Sequence, residues 1–282
     1  MDVGNKRKEN KNKMSRQKVY GTCKICGFTG KLSFEHVPPE KAFNNNRFYY
    51  TATLEQVLKL EVAEIDLSST KEKFRKKQGG IGFNSLCEKC NNTTGKWYAS
   101  DFISWAHQSM AILLKANGKP SLLYPTFFFP LRVIKQIITM FFSVNQDVFR
   151  KVEPQLVKFI LNRETRFLDS RYKIYCYYNL KGHNRYLGNS FLSDFRSSKI
   201  IHLSEISFSP FGFVMTIDSE KPDRRLTDIS HFADFDFHYW TDYYQKFDVL
   251  PTYLPYIPGD YRTKEEIQNT IDSSKLMRRS DK

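Results

Sequence analysis

The sequence predicts an α+β protein, in which a zinc-braced N-terminal unit is followed by a second unit of helices and an antiparallel sheet. Two Cys-x-x-Cys pairs stand far apart in the first third of the chain. Apolar residues recur every three to four positions over residues 98–113 and 131–141, which is typical of amphipathic helices. From residue 172 onward they alternate with a period of two, which is typical of strands.

The chain length and residue order predict four segments. The chain has 282 residues with 24 Phe and 16 Tyr, enough to build a sizeable core. We expect a disordered basic arm, a zinc-braced unit with an insertion, an α+β accessory unit and a polar tail. Their bounds are 1–18, 19–118 with an insertion at about 41–80, 119–272, and 273–282.

Charge and cysteine usage indicate the partner and the compartment. The formal net charge is +14, which favours a polyanion such as nucleic acid or, failing that, an anionic surface. No apolar run approaches the roughly 18 residues of a membrane span, so we expect no membrane segment. The five cysteines are few and mostly paired, which fits a reducing compartment such as the cytoplasm.

The four paired cysteines are Cys23, Cys26, Cys87 and Cys90. Two Cys-x-x-Cys loops supply the four thiolates of a tetrahedral zinc site and tie two distant segments together. Incidental pairs or a disulfide framework are the alternative, which the low cysteine count and the lack of a secretory signal disfavour. Cys176 alternates with apolar residues and is predicted to be buried.

Further residues stand in a fixed order around these cysteines. Gly27 follows the first pair, Glu35-His36-Val37-Pro38-Pro39 lies between the pairs, and Asn91 directly follows the second pair, four residues before Gly95. This order resembles the HNH (ββα-metal) endonucleases, in the subgroup whose finger is braced by zinc. The resemblance covers about the first third of the chain and implies a ββα-metal nuclease finger there.

The resemblance also implies roles for individual residues. Glu35 and Asn91 would hold a divalent ion, and His36 would be the general base that takes a proton from water. Oxygen ligands suit Mg²⁺ or Mn²⁺ as the catalytic ion, whereas the four thiolates suit structural Zn²⁺. Asn84 is the candidate for orienting His36, although a turn residue is an equal interpretation. Two departures are the Glu in place of the commoner Asp and the insertion at about 41–80.

Basic residues near this frame are candidate nucleic-acid contacts. Five lie within seven positions and one follows Asn91 by about one helical turn: Lys71, Lys73, Arg75, Lys76, Lys77 and Lys96. They could grip a phosphate backbone, whereas a solvated charged loop is the alternative for the first five.

The accessory unit is predicted from proline positions and periodicity. Pro130 and Pro154 are expected to begin helices, and a hairpin is expected around residues 181–184. Further strands are predicted at 200–203, 206–208, 213–217 and 234–240, and a capping box predicts a last helix from residue 263.

The expected function is metal-dependent hydrolysis of phosphodiester bonds, with DNA favoured over RNA. By analogy, such a protein would act in restriction or anti-phage defence. The accessory unit could supply substrate choice, regulation or a homo-oligomer contact. The alternative is a zinc-ribbon module that binds nucleic acid or protein without cutting it.

Overall fold

In a computed structural model of the chain, the structure describes residues 18–46, 48–53, 56, 74–115, 121–179, 184–194, 199–248, 265–266, 268–269 and 272. The fold is mixed α+β with antiparallel sheets, which confirms the predicted class at this level. The basic arm up to residue 17, Lys71, Lys73 and the polar tail lie outside the described residues, as does most of the last predicted helix.

The N-terminal sheet has three antiparallel strands in the order β1-β2-β5. Their bounds are Val19–Thr22 for β1, Thr29–His36 for β2 and Gly82–Cys87 for β5. Helix α1, Glu88–Thr94, follows β5 directly, and Glu88 places a negative charge in its positive first turn. The ladder between β2 and β5 is irregular between Ser33 and Phe34.

Within the insertion, two short strands form a separate antiparallel ribbon. Strand β3 spans Phe48–Thr51 and strand β4 spans Arg75–Gln78. The interpretation of residues 75–77 as a charged loop is therefore wrong. Each residue of β4 is paired with an aromatic or β-branched residue of β3. Such cross-strand pairs stabilise the ladder despite the positive charges on β4.

Helices connect the N-terminal sheet to the rest of the chain. Helix α1 passes through a π-helical segment, Gly95–Ala99, into α2, Ser100–Lys115. Further helices among the described residues are α3, Pro130–Val144, the single turn α4, Phe149–Val152, and α5, Pro154–Leu161. The two helix starts at Pro130 and Pro154 are confirmed, because proline suits the first helical position, where its missing N–H is not needed.

The large sheet has five antiparallel strands in the order β11-β7-β10-β9-β8. They span Tyr172–Tyr178 (β7), Arg185–Asp194 (β8), Lys199–Phe208 (β9), Phe211–Ile217 (β10) and Thr227–Asp228 (β11). The predicted hairpin of β7 with β8 is wrong: β7 pairs with β10 and β11, and β8 pairs with β9. Strand β10 lies between β7 and β9 instead, and it is fully buried because its alternate side chains pack in apolar clusters on both faces of the sheet.

Two strands that lie far apart in the sequence form a second two-stranded ribbon. They are β6, Ser121–Phe128, and β12, Thr241–Asp248. The strand predicted at 234–240 is wrong. A 3₁₀ helix, Ser230–Asp234, ends there, and the Asp236 carboxylate accepts a hydrogen bond from the His238 N–H to make a turn. Strand β6 contains Pro125, which a two-stranded ribbon tolerates because one edge of each strand needs no partner.

One large apolar cluster joins most of these elements, and a smaller cluster lies on the other face of the large sheet. Buried apolar side chains in mutual contact extend from Cys23 to Phe237, and helix α3 is buried along almost its whole length. Separate cores do not mark the proposed boundary at residue 118, so the division into 19–118 and 119–272 stays a prediction. None of the helices among the described residues is long and apolar enough to cross a membrane.

Candidate metal centre and adjoining pocket

The four paired cysteines meet at one point of the structure. The sulfur atoms of Cys23, Cys26, Cys87 and Cys90 all lie within 4.8 Å of one another, and the Sγ atoms of Cys26 and Cys87 are 3.7 Å apart. Zinc–sulfur bonds of about 2.3 Å in a tetrahedron place the sulfurs about 3.8 Å apart. The four cysteines therefore have the arrangement that could bind a zinc ion.

Local backbone geometry explains how the sequence builds this cluster. Gly27 has φ +79°, in the left-handed region that favours glycine, and its N–H donates to the Cys23 carbonyl at 2.9 Å. The Lys24 N–H donates to the Ser85 carbonyl at 2.9 Å, which ties the first loop to β5. Cys87 ends β5 and Cys90 lies in the first turn of α1, so a strand-to-helix junction supplies the second pair.

The thiols influence one another's ionisation. The Cys90 thiol donates a hydrogen bond to Cys23 and lowers the pKa of Cys23 to about 4. The same bond, followed by burial, raises the pKa of Cys90. Crowded sulfurs thus favour one thiolate and resist further charge, so a divalent cation would stabilise the remaining thiolates.

Glu35 lies on the buried face of β2, close to this cluster. Its carboxylate accepts hydrogen bonds from the Ser143 hydroxyl of α3 and from the Ser85 hydroxyl at 3.5 Å. Burial is the main cause that raises the pKa of Glu35 to about 7, and the two serine hydroxyls oppose that rise. The Lys24 ammonium donates to the Ser143 carbonyl at 3.0 Å, which fastens the Cys23–Cys26 loop to the same end of α3.

Asn91 lies on the same side of β2 as Glu35. Its Nδ2 donates to the Ser33 hydroxyl at 3.1 Å and to the Phe34 carbonyl at 3.3 Å. Ser33 and Glu35 are two positions apart on one strand, and such side chains share a face. The structure therefore brings the two expected ion ligands to one face of β2.

His36 lies on the opposite face, in an open pocket. The ring centroids of His36 and Phe34 are 5.0 Å apart in an edge contact, and Asn84 is the cross-strand partner of Phe34. The pocket has a volume of about 490 Å³. Polar side chains predominate in its lining, which consists of Phe34, His36, Glu40, Asn45, Asn46, Gln78, Gly79, Gly80 and Asn84.

A buried asparagine fixes the backbone beside this pocket. Asn44 is 3% exposed, and its Nδ2 donates to the carbonyls of Pro38 and Ile81, each at 2.7 Å. Its Oδ1 accepts the Ile81 N–H at 2.7 Å. A Cβ atom at Gly80 would lie 2.0 Å from the Asn44 carbonyl oxygen and 2.9 Å from Cδ2 of His36, so only glycine fits beside the histidine.

The predicted site residues thus fall into groups. The four cysteines meet, Glu35 and Asn91 share one face of β2, and His36 and Asn84 share the pocket on the opposite face. The structure therefore separates the expected base from the expected ion ligands. The other candidates are exposed where the structure describes them: Arg75, Lys76 and Lys77 on β4, and Lys96 in the π-helical segment. Sequence analysis missed Glu40, Asn44 and Ser143, because the Asn run at 44–46 signals only a turn and Ser143 lies far along the chain.

Comparison of the chain with protein-family models, with curated proteins and with solved structures gave no match.

Proposed function

We propose that the protein is a metal-dependent nuclease of the HNH type that hydrolyses phosphodiester bonds in nucleic acid, with DNA favoured. The observation that carries this proposal is the placement of His36. It is the last residue of a strand that pairs with the cysteine-bearing β5, and it lines an open polar pocket. The net charge of +14 supports a polyanionic substrate.

In this proposal His36 takes a proton from the attacking water. A general base must reach that water, and His36 lies within a pocket large enough to admit a phosphate and its solvent. Asn84 lines the same pocket, and its amide would hold the imidazole or the phosphate in position. Gly80 keeps space open at the edge of the imidazole ring.

Glu35 and Asn91 are the proposed ligands of a Mg²⁺ or Mn²⁺ ion. Carboxylate and amide oxygens are chemically suited to such ions, and both side chains lie on one face of β2. When bound, the ion would supply charge neutralisation for the phosphate and the leaving oxygen. To do so it would have to act across the end of β2, because His36 and its pocket lie on the opposite face of that strand. The Ser143 hydroxyl donates to the Glu35 carboxylate, so the carboxylate must exchange this partner for the ion.

The four-cysteine cluster has a structural role in this proposal. It joins the loop after β1 to the junction of β5 and α1, and those segments flank the strand that carries Glu35 and His36. A zinc ion with four thiolate ligands has no open position for a substrate. We therefore assign a role in catalysis to Glu35 and His36 of β2, and a purely structural role to the four-cysteine cluster.

The test is cleavage of supercoiled plasmid DNA and of single-stranded RNA by zinc-loaded protein, with and without added Mg²⁺ or Mn²⁺. We expect plasmid cleavage that requires the added ion while the zinc content stays constant. Binding of both polymers without cleavage under any ion would contradict the proposal and support the non-catalytic zinc module. Cleavage of RNA alone would reassign the substrate.

A further inference from the structure

The ribbon formed by β3 and β4 is positively charged and exposed. All four residues of β4 are exposed, and three of them are cationic. Neither strand contains an acidic residue. Within the described part of the chain, no carboxylate lies within ion-pair distance of Arg75, Lys76 or Lys77. The ribbon thus presents cationic charge that the described protein does not neutralise.

The register distributes these cations over both faces of the ribbon. Lys76 pairs with Tyr50, whereas Lys77 pairs with Tyr49. Directly opposed residues share a face and successive residues alternate, so Lys76 lies on one face, and Arg75 and Lys77 lie on the other. A ribbon that lay flat on a single phosphate backbone would need its cations on one face only.

Aromatic residues stiffen the ribbon and position its central cation. The Lys76 Nζ lies 4.1 Å from the centroid of the Phe48 ring, a cation–π contact. The Phe48 and Tyr50 rings contact each other edge to face at 5.9 Å. Phe48 is 44% exposed, so the contact holds Lys76 at the surface and not in the core.

The ribbon begins and ends at the His36 pocket. Asn45 and Asn46, which line the pocket, shortly precede β3. Gln78 ends β4 and also lines the pocket, together with Gly79 and Gly80. A polyanion that contacts the ribbon is therefore guided to the pocket.

We infer that the β3–β4 ribbon docks the substrate by entering the major groove of B-form duplex DNA, an inference that rests on the proposed function. The major groove is about 12 Å wide and admits a two-stranded ribbon. It is bounded by two phosphate backbones, which matches cations on both faces of the ribbon. Duplex RNA has a deep, narrow major groove that side chains cannot read, and a single strand has one backbone.

The test measures binding with His36→Ala protein, so that cleavage does not consume the ligand. Fluorescence anisotropy would compare duplex DNA, single-stranded DNA and duplex RNA of one sequence over a range of salt concentrations. The ribbon variant is Arg75→Gln/Lys76→Gln/Lys77→Gln. The matched control, Lys151→Gln/Lys158→Gln/Arg224→Gln, removes the same charge from exposed positions outside the ribbon.

We expect duplex DNA to bind most tightly to the parent protein. Each cation that no longer neutralises a phosphate should reduce the slope of log K against log salt by about 0.9, so the slope for the ribbon variant should fall by about 2 to 3. The slope for the control should fall by less than about 1. Equal reductions in both variants, or equal affinity for the three nucleic acids, would overturn the inference.

Cleavage assays with His36 intact separate this inference from the nuclease proposal. Ribbon-dependent binding of duplex DNA by a wild-type protein that cuts nothing would keep the docking inference and reject the nuclease. Conversely, a ribbon variant that binds and cuts DNA as the control does would keep the nuclease and reject the docking inference.

Discussion

At the scale of single residues, Glu35 and His36 show how neighbours acquire different chemistry. Because they are successive strand residues, one faces the interior and the other faces the pocket. The cysteine spacing predicted the four-sulfur cluster, since two short loops each fix a pair of ligands. The partner of Glu35 could not be predicted in this way, because Ser143 comes from a helix 108 positions away.

Replacing Glu35 or Glu40 tests which of the two carboxylates binds the catalytic ion. Glu35→Gln removes the charge from the buried face of β2, and Glu40→Gln makes the same change in the pocket of His36. We expect Glu35→Gln to lower the cleavage rate at least about 100-fold and Glu40→Gln to change it only a few-fold. Titration with Mg²⁺ under single-turnover conditions measures this, and the reverse pattern would reassign the ligand to Glu40.

Asn44→Ala should destabilise the protein. The substitution leaves two backbone carbonyls and one N–H without their buried partner, at a cost of about 2–4 kcal/mol. Urea unfolding of the zinc-loaded protein measures the loss, with the exposed Asn46→Ala as the control. An Asn44→Ala protein as stable as the Asn46→Ala protein would show that these buried hydrogen bonds contribute little to stability.

At the scale of elements, the sequence correctly predicted helices and strands whose formation depends mainly on their own residues. Proline at the first position marked α3 and α5, and the alternation from residue 172 marked β7. Strand pairing was harder, because which strand lies beside β7 depends on the burial of β10 and not on the turn between neighbours. Sequence analysis did not predict strand β6, because it contains Pro125 and proline is unfavourable within most strands.

The pairing of β8 with β9 encloses an ion pair that should be sensitive to mutation. Arg185 and Glu205 are 6% and 0% exposed, and the Tyr177 hydroxyl also donates to Glu205 at 2.7 Å. Arg185→Met should cost about 3–5 kcal/mol, because it leaves a buried carboxylate without its cation. Adding Glu205→Leu should recover much of this loss.

Denaturant unfolding of the single and double variants measures that coupling. The exposed pair of Arg163 and Glu164 provides the comparison, and Glu164→Ala should cost less than about 1 kcal/mol. A destabilisation by Arg185→Met as small as that by Glu164→Ala would show that the pair is not buried in solution.

At the scale of the whole molecule, one core and one helix couple the cysteine cluster to the large sheet. Helix α3 contacts the Cys23–Cys26 loop through Lys24 and the Glu35 carboxylate through Ser143, and its apolar residues pack within the larger core cluster. The Tyr186 hydroxyl of β8 donates to the Val37 carbonyl at 2.7 Å, directly after His36. The large sheet thus contacts the strand that carries the proposed base.

Removal of zinc should therefore destabilise the whole protein, not the N-terminal unit alone. Because one apolar cluster spans the cysteines and the large sheet, we expect a single thermal transition whose midpoint falls by at least about 5 °C on chelation and returns when zinc is restored. Circular dichroism at increasing temperature measures this, with Cys26→Ser as the variant that lacks one ligand. Two separate transitions, or an unchanged midpoint, would contradict this account.

The most direct measurement is plasmid cleavage by wild-type, His36→Ala and His238→Ala proteins at equal zinc content. His238 is an exposed histidine outside the pocket and serves as the control. The account predicts a rate about 10²–10⁴-fold lower for His36→Ala, as when a general base is removed, with unchanged DNA binding and an unchanged rate for His238→Ala. Equal cleavage by all three proteins, or none by the wild type, would contradict the central claim.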